Sequence, residues 1–244
     1  MKQPSGSTKH IEYKQKQINK MRTFEIDLYD GHLIFENNGQ KILLDTGSPT
    51  TISRSNIFNF MDVEHPCATS MGIDVEKISD LLGYRIDTLL GLDILRKYYI
   101  EIDYKNKKVT FYNEPTSFDS QIEVPITGKM GTICMELETQ GHTLDVAIDT
   151  GAKISYINKS YIENKNSIDV RDDFHPIIGN FKTPIYEMEG SVGGKTFPIE
   201  FGVLPDIYSN TLEMIGISGV IGFDLFNSFT AYIDLTNNKM HLKQ

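Results

Sequence analysis

The sequence predicts an all-β chain built from two duplicated halves, and three observations carry that prediction. Asp-Thr-Gly occurs twice, at Asp45-Thr46-Gly47 and Asp149-Thr150-Gly151, each time closing an apolar run, Ile42-Leu43-Leu44 in one case and Val146-Ala147-Ile148 in the other. Downstream of each copy, an apolar pair leads into Gly-x-Asp and a second apolar pair: Leu89-Leu90-Gly91-Leu92-Asp93-Ile94-Leu95 and Val220-Ile221-Gly222-Phe223-Asp224-Leu225-Phe226. From these glycines the match continues without a gap, Tyr99 to Asp103 aligning with Thr230 to Asp234 and Asn106 to Val109 with Asn237 to Met240. Several motifs in one order in both halves are the mark of an internal repeat.

Taken in order, Thr23 to Tyr29, His32 to Glu36 and Lys41 to Leu44 read as strands, because apolar and β-branched residues are separated there by Asp-Gly and Asn-Gly turns. Gln121 to Ile126, Gly131 to Glu138 and His142 to Ile148 repeat that pattern. Asp74 to Leu82 spaces Val75, Ile78, Leu81 and Leu82 as a short helix does. The halves are unequal: 104 residues separate Asp45 from Asp149 but 131 separate Gly91 from Gly222, so the second half carries 27 more between its two motifs. Part of that extra length is Tyr186 to Val192, Gly193-Gly194 and Thr196 to Phe201, a hairpin pattern. The expected organisation is a polar, basic tail over 1–22, a first lobe over 23–114, a Pro/Ser/Thr/Asp linker over 115–120 and a second lobe over 121–244.

The chain has 244 residues, 39% of them hydrophobic, enough for a sizeable core in one large domain or two smaller ones. A net charge of −9 argues against nucleic acid as a partner, which needs clustered cations. The only basic stretch is Lys14, Lys16, Lys20 and Arg22, read as a solvated tail or as a propeptide whose lysines cover an acidic cleft. Cys67 and Cys134 are either two thiols or one bridge, and neither stands in a metal-binding spacing. The six histidines are scattered, so no metal and no cofactor is expected. No apolar run reaches the roughly 18 residues of a membrane helix and no signal-peptide core is present, so the chain reads as cytoplasmic with no membrane partner.

A buried strand ending in a carboxylate is costly, because an isolated ionised carboxylate resists leaving water. Two such carboxylates brought together relieve the cost by holding one shared proton, which makes them a matched acid and base. The arrangement of apolar residues, Asp-Thr-Gly-Ser at 45–48 or Asp-Thr-Gly-Ala at 149–152, and a later apolar-apolar-Gly-x-Asp resembles the retropepsin-like and pepsin-like aspartic peptidases. The resemblance covers about residues 23–113 and 121–243.

That resemblance implies the two-lobed acid-protease fold, duplicated β-barrel lobes with a few short helices, in which Asp45 and Asp149 form a catalytic dyad within one chain. It implies a monomer acting on an extended polypeptide with apolar side chains beside the cut, and inhibition by pepstatin. Thr46 and Thr150 would cross-link the two loops, and Gly47 and Gly151 would allow tight turns and present amides to the carboxylates. Ser48 would hydrogen-bond Asp45 through its hydroxyl and favour its ionised form, which Ala152 cannot do for Asp149. Gly91 and Gly222 would lie behind the loops, with Asp93 and Asp224 capping short helices. The family covers its cleft with a first-lobe hairpin. Here the first half is short in that region, leaving a small loop around Ser70, Met71 and Gly72 or the Glu187–Phe201 hairpin of the second half as the expected cover. A catalytically silent peptide-binding module and a scaffolding protein remain the alternatives on the same fold.

Overall fold

A computed structural model describes residues 21–67, 72–163 and 165–244. Most of the expected tail, and Ser70 and Met71 of the expected cleft loop, lie outside the described residues; Met21 and Arg22, read as the end of the tail, instead open the first strand.

In the first half, β1 (Met21–Tyr29), β2 (His32–Asn37) and β3 (Gln40–Leu44) form an antiparallel meander. Its turns, Asp30-Gly31 and Asn38-Gly39, have positive φ at both residues, the primed geometry that suits the right-handed twist of the strands. Beyond the Asp45 loop come β4 (Ile52–Ser53), the hairpin β5 (Ile57–Phe60) and β6 (Val63–Pro66), α1 (Val75–Leu82), β7 (Thr88–Leu90), α2 (Leu92–Leu95), β8 (Tyr99–Asp103) and β9 (Lys108–Tyr112). Helix α1 starts where the Asp74 carboxylate accepts the Lys77 amide at 2.8 Å and stops at Gly83 in the left-handed region. Its Val75, Ile78 and Leu82 are the buried stripe.

The second half runs β10 (Ile122–Pro125), β11 (Thr127–Lys129), β12 (Thr132–Thr139), β13 (His142–Ile148), β14 (Ser155–Ile157), β15 (Asp169–His175), β16 (Gly179–Val192), β17 (Lys195–Gly202), α3 (Asp206–Met214), β18 (Gly219–Ile221), α4 (Phe223–Ser228), β19 (Thr230–Asp234) and β20 (Lys239–Lys243). Strand accounts for 51% of the structure and helix for 14%, so the all-β class with a few short helices is as the sequence predicts.

Two large sheets hold all of these strands except β5 and β6, which pair with each other. One has the order β10-β20-β19-β8-β9-β1-β2-β3-β7-β4 and joins the halves through antiparallel β8 and β19; the other is β11-β12-β13-β18-β14-β17-β16-β15. In each half the strand that leads into Asp-Thr-Gly pairs in parallel with the strand that leads into Gly-x-Asp, β3 with β7 and β13 with β18. Each of those then pairs antiparallel with the short strand that follows the loop, β7 with β4 and β18 with β14.

The β5–β6 hairpin is drawn inward. Phe58 and Phe60 are 1% and 0% exposed, and Phe60 packs edge-on to Phe111 at 4.8 Å and to Tyr98 at 5.4 Å. Burying each ring stabilises by about 1.5–3 kcal/mol, which commits this hairpin to the core and not to the cleft. Cys67 and Cys134 are free thiols, which settles the choice between thiols and a bridge. No helix among the described residues is long and apolar enough to cross a membrane.

Candidate active site

The two Asp-Thr-Gly loops meet at the floor of a cleft between the halves. The Thr46 amide donates to the Thr150 hydroxyl and the Thr150 amide donates to the Thr46 hydroxyl, each at 3.0 Å. Each hydroxyl then donates across the junction, Thr46 Oγ1 to the Ile148 carbonyl and Thr150 Oγ1 to the Leu44 carbonyl, both at 2.8 Å. Both threonines are buried, so these four bonds have no competition from water.

This cross-link brings the two carboxylates side by side, facing one cavity of about 200 Å³ that both of them line. Burial first, then the charge of Asp149, hold the Asp45 carboxyl well above the usual carboxylate range, against the pull of the Ser48 and Gly47 amides. Asp149 is also raised by burial, while the Gly151 amide and the hydrogen bond from Asp45 oppose that rise. Both acids are therefore held above their ordinary range, and one proton is shared by the pair, to which the titration belongs.

The hydroxyl contact expected from Ser48 to Asp45 does not form. The Ser48 hydroxyl donates to the Thr50 carbonyl at 2.9 Å, and only the Ser48 amide reaches Asp45 Oδ1, also at 2.9 Å. On the other side the Gly151 amide bonds Asp149 Oδ1 at 2.8 Å, and the Ala152 amide turns back to the Asp149 carbonyl at 3.3 Å. Backbone amides oppose the rise at both acids, those of Ser48 and Gly47 at Asp45 and those of Gly151 and Gly47 at Asp149, while the Ser48 hydroxyl is engaged elsewhere.

The glycines serve closeness of approach. A Cβ on Gly151 would stand 2.8 Å from Asp45 Cγ, and one on Gly47 would collide with the carboxylate of Asp149. Neither residue has positive φ, so the tight turn expected of them is not what requires glycine here. Gly91 and Gly222 do back the loops: a Cβ on Gly91 would lie 2.6 Å from the Thr50 carbonyl carbon, and one on Gly222 would strike the Ala152 carbonyl.

Asp93 and Asp224 do not cap helices. Asp93 Oδ1 accepts the Thr51 amide at 2.8 Å and the Thr51 hydroxyl at 2.6 Å, and that hydroxyl in turn accepts the Gly91 amide at 3.0 Å. In the second half the Ser155 hydroxyl donates to Asp224 at 2.5 Å and accepts the Gly222 amide at 3.2 Å. Each aspartate thereby ties the chain beyond an Asp-Thr-Gly loop to the glycine behind it.

The cover over the cleft is the hairpin of β15 and the first part of β16, paired from Asp169 with Ile185 to His175 with Gly179. His175, Pro176 and Ile177 at its tip line the cavity, whereas no residue of Glu187–Phe201 does. The expected Glu187–Phe201 hairpin does form on its Gly193-Gly194 turn, but its tip lies against Ile122, away from the carboxylates. From α3, Tyr208 meets His175 at 4.3 Å between ring centroids and closes the far wall. Burial, then the charges of Asp149 and Asp45, push its hydroxyl pKa up to about 12.

Close to its tip the lid is tied to both halves. Tyr156 donates its hydroxyl to Asp173, whose side chain also lies 4.0 Å from Lys153 Nζ, and Lys153 bonds Asp30 of the first half at 2.8 Å. His32 is buried in the same place and neutral, its pKa lowered by burial above all. In the sequence Tyr208 and His175 stand out only as aromatic or titratable residues between Asp149-Thr150-Gly151 and Gly222; nothing in their spacing points to the carboxylates.

No protein-family model matches the chain, and no curated protein matches its sequence. Among solved structures it is similar to an aspartic proteinase from Irpex lacteus, with 11% identity over 92% of this chain and 97% of that one and a TM-score of 0.52. It is also matched with the solution structure of Simian Foamy Virus (mac) protease, with 20% identity over 36% of this chain and 86% of that one and a TM-score of 0.28. The fold is that of the two-lobed aspartic proteinases.

Proposed function

We propose that the chain is an aspartic endopeptidase that hydrolyses extended polypeptides by activating water between Asp45 and Asp149. The observation that carries this reading is the pairing of two half-buried carboxyls, both raised above their ordinary range, at the floor of one covered cleft. With one proton between Asp45 and Asp149, the ionised member takes a proton from the water as it attacks the scissile carbonyl. The protonated member donates toward the developing oxyanion, and the proton taken up by the pair then passes to the leaving amine. The water carries the nucleophilic step, so no covalent intermediate with the chain forms.

The matched strand pairings and the matched Thr51–Asp93 and Ser155–Asp224 anchors support an origin by internal duplication, with lobes over 23–114 and 121–244. Because both aspartates belong to one chain, a monomer suffices, and specific activity should not vary with concentration. The test is cleavage of a quenched fluorescent peptide library from about pH 3 to pH 8, the span in which carboxyl dyads work. Cleavage that pepstatin inhibits and that Asp45→Asn slows by roughly 10²- to 10⁴-fold is the expected result; a folded native chain that cuts nothing across this range would reassign it to a binding module.

A further inference from the structure

The lid places one second-half side chain in the first-half wall of the cleft. Phe174, on β15, packs against an apolar cluster whose members Leu43, Ile52, Ile73, Ile78 and Leu89 line the cavity beside it. Its ring stacks on His32 at 5.9 Å and 19°, and His32 is only 2% exposed. The backbone on both sides is held as well. Asp173 is bonded by Tyr156 and lies near Lys153, and Phe174 itself pairs with Asn180 across the hairpin. Moving the ring aside would break the stack on His32 and disturb the Asp173 anchor at once.

On the peptidase reading above, we propose that Phe174 determines specificity by setting the size of side chain that the first-half pocket admits. The five aliphatic residues supply an uncharged wall, so the pocket takes an apolar side chain. The fixed phenylalanine ring already fills the room that a second ring would need, and packed protein resists added volume. The pocket therefore accepts side chains from alanine to leucine in size and refuses phenylalanine and tyrosine. This assigns the choice of first-half ligand to a residue of the second half, delivered by the lid.

The test uses fluorescent hexapeptides carrying Ala, Leu or Phe at each position in turn, titrated by anisotropy into the full Asp45→Asn chain with and without Phe174→Ala. At one position Leu should bind better than Phe by roughly 10- to 200-fold, the range a hydrophobic pocket can reach, and Phe174→Ala should reverse that order at the same position only. Phe174→Leu, which keeps an apolar partner for His32, should relax the preference in part and carries the test if Phe174→Ala fails to fold. An unchanged order in the variants, a preference for Phe in the parent, or no peptide binding by any of the chains would each overturn the proposal. Cleavage of the same peptides by the native chain is scored separately. A reversed binding order with no cleavage would sink the peptidase reading and leave the size limit standing, whereas cleavage without reversal would do the opposite.

Discussion

Gly47 faces the carboxylate of Asp149 so closely that a single added carbon would collide with it, and Gly151 stands in the same relation to Asp45. Each loop's glycine makes room for the other loop's acid, so the two motifs are complementary across the junction. Gly47→Ala and Gly151→Ala should each destabilise the fold by about 1–3 kcal/mol, the usual cost of forcing a methyl group into a packed site. Both should also force the carboxylates apart and lower peptide cleavage; a melting curve and a rate for each variant decide the matter, and full activity in either would refute the argument.

The raised pKa of Asp45 makes its ionisation a burden on the folded state. The folded chain holds a proton that the unfolded chain releases near pH 3.9, so stability is full below that value and declines as the pH rises toward the folded pKa. Asp45→Asn removes the burden. The variant should melt above the native chain at pH 7, with the gap closing below about pH 4, while kcat falls by roughly 10²- to 10⁴-fold through loss of the acid. Thermal melts at a series of pH values test the first expectation, and equal melting points at pH 7 would contradict it.

Thr46 and Thr150 each hold one amide and one carbonyl of the opposite loop. Thr46→Val or Thr150→Val keeps the shape but strands two buried polar groups, at about 1–3 kcal/mol for each. Because the two residues share one network, the double variant should lose less than the sum of the single losses, which chemical denaturation of all four chains would show. Strict additivity would mean that the two hydroxyls act independently.

Tyr156→Phe removes the hydroxyl that holds Asp173 near the tip of the lid. A buried hydrogen bond to a charged group contributes about 1.5–3 kcal/mol, so the lid should loosen and KM should rise more than kcat falls. Steady-state kinetics separate the two effects; a pure loss of kcat would place the damage at the carboxylates.

What the sequence made legible follows from how local each signal is. The strand ending in Asp45, the glycine behind it and the Asp74-to-Gly83 helix are each written in a few adjacent residues. The lid was missed because Asp169 to His175 alternates weakly, with charges on much of its length, and turns at Pro176 to Gly179 without a diagnostic glycine pair. The Gly193-Gly194 hairpin carries the stronger local signal yet serves the eight-stranded sheet. Local pattern reports that a hairpin forms, and tertiary packing decides what it covers. Asp93 was read as a cap for a similar reason: its partner Thr51 lies 42 residues away, and no spacing rule joins them.

The pairing of β8 with β19 has a consequence for how the chain is made. The edge of the first-half sheet along Tyr99 to Asp103 is sealed only by Thr230 to Asp234, which the ribosome adds much later. At about 5–20 residues per second, that edge stays open for on the order of ten seconds in every new chain. For that interval the nascent first half displays an unsatisfied strand edge, a template on which another chain could pair.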